Sequence, residues 1–221
     1  MPPQRPEDKA AAGAEHPLDA AAAVRSWSRI QDPAVLAAVV GALTTLIEGN
    51  RRFVSGAPAP RDLHDERSAL VSGQEPVAAV LACSDSRIAI EDTFDAPLGT
   101  VFGIRTAGVA LDTAVLGSLE FAVARLGVRL IVVLGHQGCG AVRAALGAET
   151  PPGALGTLIG QLREHVGQGS DYETAVRSCA IGTGRGIATA SAVLRAAFAG
   201  GQLAIVPAFY WLADGRVELL R

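Results

Sequence analysis

Four short apolar runs stand out along the chain, at residues 77–83, 100–105, 130–136 and 202–209, each rich in β-branched residues. Their hydrophobicity is unbroken rather than alternating, which is the pattern of strands buried on both faces of a sheet. The segments between them carry helical spacing instead, at 114–126, then 141–146 with 155–166, and 188–198. Strand and helix alternate, so the sequence predicts an α/β fold with a mostly parallel central sheet flanked by helices. Asp214-Gly215 is a turn signal between 210–212 and 217–220. The sheet is therefore expected to end in a C-terminal antiparallel edge hairpin.

Ahead of the first strand, Asp32-Pro33 supplies an N-cap and a proline suited to a first helical turn. A mostly buried helix is expected over 34–47, ending near Gly49-Asn50, with weaker helical spacing over 64–73 and one long loop at 151–156. Residues 20–30, which carry Trp27, read as a helix in need of a surface, and the first 15 residues as disordered. With 221 residues and about 150 per domain, the expected division is a flexible N-terminal tail or helical arm at 1–31 and a single α/β domain at 32–221.

Composition narrows the function. Apolar residues make up 49% and charged ones 19%, which excludes general disorder, and no apolar run of about 18 residues is read as a membrane span. A net charge of −3 without blocks of one sign argues against nucleic acid and membrane surfaces, leaving small molecules or protein as partners. Lys9 is the only lysine, so the folded part has neither a phosphate-gripping P-loop lysine nor Schiff-base chemistry. Gly182-x-Gly184-x-Gly186 accordingly reads as a loop or a broken helix start. Three cysteines suit a reducing compartment better than a disulfide framework. Residues 1–15 lack the charged start and apolar stretch of a secretory signal, and a cytoplasmic location is expected.

Cys83-Ser84-Asp85-Ser86-Arg87 falls at the carboxyl end of the first strand, and His136-Gln137-Gly138-Cys139 at the carboxyl end of the third. Ligands of open α/β sheets bind beyond this edge, where the strand order reverses. Cys83, His136 and Cys139 would offer two thiolates and an imidazole, a donor set that zinc prefers, with a fourth tetrahedral position left over. Gly135, Gly138 and Gly140 permit the tight turns such a loop needs. Taken singly, a buried Cys is more often a small hydrophobe and a lone His a structural hydrogen bonder. The pairing of the two motifs is what favours a metal. Cys179 has no ligand-spaced neighbour and reads as a buried thiol, with completion of a closed four-ligand site as the alternative. His64 and His165 read as surface residues.

Cys-Ser-Asp-Ser-Arg followed by Gly-His-x-x-Cys-Gly resembles the beta-class carbonic anhydrases. Glu48-Gly49-Asn50-Arg51-Arg52-Phe53, Gly73-Gln74-Glu75-Pro76, Ile104-Arg105-Thr106-Ala107-Gly108 and Gly117-Ser118-Leu119-Glu120-Phe121-Ala122-Val123 are similar to family blocks in the same order. The likeness is strong over 46–140, moderate over 201–219 and poor over 145–200. It implies zinc-dependent, reversible hydration of carbon dioxide to bicarbonate and a proton, by attack of zinc-bound hydroxide. Cys83, His136 and Cys139 would bind Zn2+. Asp85 and Arg87 would form a dyad in which Asp85 orients the attacking group, or swings onto the metal when the pair breaks. Gln74, Phe102, Ala107 and Gly140 would contact substrate, in a pocket partly lined by the neighbouring subunit of a homodimer or dimer of dimers. Val109, where many members carry Asn or another polar residue, and the glycine-rich stretch 179–189 depart from the pattern. Hydrolysis of carbonyl sulfide or carbon disulfide is the rival activity. A non-catalytic protein with a closed structural zinc, its fourth ligand Cys179 or Asp85, is the rival class.

Zinc lowers the pKa of a coordinated water from 15.7 to about 7 where three histidines hold it. Two thiolates make the ion formally neutral, so its water should be less acidic. Hydration activity is expected to climb on the alkaline side of neutral, and a flat rate profile from about pH 6 to 9 would contradict that charge argument.

Overall fold

The computed structural model describes residues 19–167 and 170–221. Strands β1 (Ala78–Ala82), β2 (Val101–Arg105), β3 (Leu130–His136) and β4 (Ala204–Tyr210) pair in parallel in the spatial order β2-β1-β3-β4. Every residue of β1, β3 and β4 is buried, as their unbroken apolar character requires. β2 lies at the edge, with Ile104 as its one fully buried residue. Because β1 sits between β2 and β3, the chain reverses its direction of travel across the sheet there, and a crevice opens beyond the carboxyl ends of β1 and β3. β5 (Val217–Leu219) pairs antiparallel with β4, Ala208 opposite Leu219 and Tyr210 opposite Val217. The hairpin is therefore made by the end of β4 itself. Its connection runs over 211–216, wider than a two-residue turn, and Trp211 N–H donates to the Arg216 carbonyl across it.

The helices are α1 (Ala20–Ser26), α2 (Pro33–Val54), α3 (Leu63–Ala69), α4 (Ile90–Thr93), α5 (Thr113–Arg125), α6 (Gly140–Leu146), α7 (Gly153–Arg163), α8 (Tyr172–Ala190) and α9 (Ala192–Ala199). α8 packs on β3 and β4 and joins α9, which meets α5. α1 and α2 pack on each other and reach β4 and β3. α7 begins at Gly153, which shortens the loop expected at 151–156. The short α4 carried no sequence signal.

Two glycine readings are corrected. α2 does not end near Gly49-Asn50 but continues to Val54. A Cβ at Gly49 would stand 1.7 Å from the Phe94 carbonyl oxygen, so glycine is there to let two backbones touch. Asn50 is buried because its amide donates to the Thr93 and Gly215 carbonyls, while its oxygen accepts from Val217 N–H. Likewise α8 runs unbroken through Gly182, Gly184 and Gly186, which were expected to interrupt it. A Cβ at Gly184 would meet the Pro207 ring of β4 at 3.2 Å, so the missing side chain lets the helix lie close to the sheet. Helix propensity, about 1 kcal/mol against each glycine, yields here to packing.

α2 is also long and apolar enough, by length and composition, to cross a membrane, which corrects the reading that no such run exists. Its Val39, Leu43, Leu46 and Ile47 are buried within this fold. The arm finds its surface on the chain's own sheet. Ala20, Ala23 and Val24 of α1 are buried, the Trp27 indole donates to the Leu220 carbonyl at 2.8 Å, and Ile205 N–H donates to the Trp27 carbonyl. The disorder expected for 1–15 lies outside the described residues.

Gly49→Ala is expected to destabilise the fold by about 3 kcal/mol through backbone overpacking. Gly41→Ala, an exposed α2 position with open space around it, should stabilise by up to about 1 kcal/mol. Urea midpoints of the two variants should move in opposite directions, and parallel shifts would refute the packing account.

Candidate metal centre

The β1–β3 register sets Ala82 beside Leu134, so the next residues along each strand, Cys83 and then Gly135 and His136, emerge into the crevice together. Ligand atoms of Cys83, His136 and Cys139 lie within 4.8 Å of one another, and all three residues are buried. His136 Nδ1 lies 2.9 Å from the Gln137 carbonyl, which can only accept, so Nδ1 carries the proton and Nε2 the lone pair. That Nε2 is the one buried side-chain nitrogen or oxygen among the described residues without a hydrogen-bond partner. An orphaned lone pair beside two thiols is what a soft divalent cation requires, so the residues fit a metal. Asp62, His64 and Asp65 also cluster, but on the exposed start of α3, where Asp62 is engaged as the helix cap.

Contact with Cys139 holds the Cys83 thiol low, at about 4, against the opposing effect of burial, with help from His136 and from the Gly108 N–H at 3.3 Å. The same contact, with burial, pushes the Cys139 thiol well above its ordinary value. The contact thus moves the two thiols in opposite directions, and a cation taken up on both sulfurs would displace whatever proton they hold.

Arg87 grips Asp85 with two parallel hydrogen bonds, Nε to Oδ1 at 2.8 Å and Nη2 to Oδ2 at 2.6 Å. Those bonds hold the Asp85 carboxyl well below the usual carboxylate range. Nη2 of Arg87 also donates to the Gly138 carbonyl at 3.1 Å, so one guanidinium ties the Cys83 loop to the Cys139 loop. Two contributors escaped the sequence reading. Arg105, at the end of β2, donates to the Cys83 carbonyl at 3.1 Å and the Asp85 carbonyl at 2.6 Å. Tyr172, at the start of α8, donates from its hydroxyl to the Cys139 carbonyl at 2.5 Å, with Arg143 stacked on its ring. The position of Arg105 at a strand's carboxyl end was a usable signal, whereas Tyr172 offered none.

The four expected substrate residues divide. Ala107, half-buried beside Gly108, and Gly140, exposed beside Cys139, adjoin the cluster. Gln74 is exposed in the segment leading into β1, at the opposite end of that strand from Cys83. Phe102 pairs with Ala79 in mid-strand and stacks on Phe121, ring centroids 6.2 Å apart. Neither reaches the cluster within one protomer. Cys179 lines a small cavity beside the cluster, together with Val109, Val142 and Val176, but stands outside the ligand grouping. Burial pushes its thiol up to about 11.

The sequence pattern of the family described as "Carbonic anhydrase" matches residues 78–217. Carbonic anhydrase 2 of Mycobacterium tuberculosis is 43% identical over 196 residues, covering 81% of this chain and 92% of the relative. A Coccomyxa beta-carbonic anhydrase solved with acetazolamide superposes with a TM-score of 0.65 at 27% identity, over 80% of this chain and 86% of that one. A Sordaria macrospora structure, from work describing two tetrameric beta-carbonic anhydrases, gives 0.61 at 26% identity, over 70% and 85%. With two thiols and an imidazole gathered at the sheet's switch point, these likenesses show that the chain belongs to the beta-class carbonic anhydrases, enzymes that hydrate carbon dioxide.

Proposed function

We propose that the hydration of carbon dioxide takes place at the crevice beyond β1 and β3, with zinc held by Cys83, His136 and Cys139. The observation that carries this reading is the orphaned His136 Nε2 in a buried cluster whose ligand atoms, with the Cys83 and Cys139 sulfurs, all lie within 4.8 Å of one another. Zinc, when bound, supplies a Lewis acid that makes water acidic enough to attack near neutral pH. The remaining work falls to the chain. Asp85, fixed by Arg87 and ionised throughout the physiological range, is an acceptor that can take a hydrogen bond from the attacking group and aim its lone pair. Arg87 is a positioning residue in this scheme. Ala107 and Gly140 border the site, and Val109 and Val142 give it an apolar wall, suited to a small, linear, neutral gas.

Gln74 and Phe102 would serve a site only across a subunit boundary. This supports a homodimer or dimer of dimers in which each protomer completes its neighbour's pocket, in keeping with the tetrameric relatives from Sordaria macrospora. The edge strand β2 and the half-exposed Phe121 offer such a boundary. We assign 32–221 as the catalytic domain and 1–31 as an arm. Three free thiols favour a cytoplasmic enzyme acting on carbon dioxide and bicarbonate, and a net charge of −3 without blocks of one sign argues against a nucleic-acid or membrane partner.

Stopped-flow hydration by zinc-loaded protein should exceed its turnover of carbonyl sulfide and carbon disulfide, and the reverse order would transfer the assignment to that hydrolysis. Arg87→Leu should lower kcat/KM about 10- to 100-fold with zinc content unchanged. Cys179→Ser should keep both zinc and activity. Loss of zinc from that variant would instead favour a closed structural site.

A further inference from the structure

Gly108 (φ 66°) and Val109 (φ 59°) both occupy the left-handed region, in the short 3₁₀ turn Ala107–Val109 that follows β2. Glycine is at ease there, and a Cβ at Gly108 would stand 2.5 Å from Leu162. Valine is not, because its branched Cβ crowds the backbone, so the surroundings must enforce the conformation. Val109 is 2% exposed, and its carbonyl accepts from the Thr183 hydroxyl at 3.2 Å. A helical threonine ordinarily returns its hydroxyl to its own helix, as Thr45 does to the Gly41 carbonyl at 3.1 Å. Thr183, 1% exposed on α8, spends its one side-chain hydrogen bond among the described residues on a turn 74 positions away. On the near side of that turn, the Gly108 N–H donates to Cys83 Sγ. The absent side chain of neighbouring Gly184 lets α8 lie against Pro207, which sets how far the Thr183 hydroxyl reaches.

We propose that Thr183 is a positioning residue of the metal centre: its hydroxyl holds Val109 in the left-handed conformation and so keeps the Gly108 amide aimed at the Cys83 sulfur. The amide fixes the direction of that sulfur's lone pairs and tempers its donor strength, as outer hydrogen bonds do at metal sites generally. The proposal rests on the reading that Cys83, His136 and Cys139 hold the cation.

The test titrates metal-free protein with Co2+, followed by its thiolate-to-cobalt charge-transfer band, and with Zn2+ against a chromophoric chelator. Thr183→Val, which keeps shape and loses the hydroxyl, should raise the metal dissociation constant about five- to tenfold and shift the band. Thr183→Ser should restore both. In a Val109→Gly background the same loss should shrink to about twofold or less, because glycine needs no enforcement. If Thr183→Val does not fold, Thr183→Ala in cobalt-loaded protein gives the same readouts. Wild-type-like affinity and spectrum in the valine variant, or an equal loss in the glycine background, would overturn the proposal. Absence of a thiolate band in the wild-type protein would instead overturn the ligand assignment beneath it.

Discussion

Backbone hydrogen bonding between β1 and β3 sets Ala82 opposite Leu134, and the distances at the metal centre are inherited from that register. A slip of two residues, the smallest that keeps each side chain on its own face, would displace one strand by about 6.6 Å. That exceeds the 4.8 Å span within which Cys83, His136 and Cys139 now lie. The register is protected by burial: β1 and β3 are enclosed on both faces, and each is paired on both edges. The chemistry thus occupies a place where the fold has little freedom to drift.

Beyond the strands, the two ligand loops are held by donors that reach backbone oxygens. Arg105 fastens the Cys83 loop to the edge strand, Tyr172 fastens Cys139 to α8, and Arg87 joins the two loops while holding Asp85. The same guanidinium fixes the Asp85 carboxylate beside the two sulfurs. The contact between them pushes the Cys83 thiol down and the Cys139 thiol up, so the pocket disfavours two negative charges side by side. Preorganisation of this kind sets the three candidate ligands in place by the fold alone.

How legible this was in the sequence differed from element to element, for physical reasons. β3 could be read to the residue, because a run buried on both faces must be continuously apolar. The Cys and His motifs were equally plain, since only a few residue types can bind a soft cation. α8 was hidden because the reasons for its glycines are tertiary: the His165 ring, Pro207 and Leu111 stand where side chains would be. The end of α2 was hidden in the same way by Phe94 and by the buried partners of Asn50. Arg105 stood at a strand's carboxyl end, which hinted at a role, whereas Tyr172 left no pattern because it binds a carbonyl, and every residue has one. Gln74 and Phe102 were named by the resemblance alone, and in this chain both stand away from the cluster.

Segments far apart in the sequence are stitched together. The Trp27 indole reaches Leu220 across 193 positions, and Asn50 accepts from Val217 across 167. During synthesis on the ribosome, α1 and α2 are made before β4 and β3, the strands they reach. Both helices must wait, apolar and uncovered, until those strands appear, and a disturbance at Val217 or Leu220 would be felt at Asn50 and Trp27.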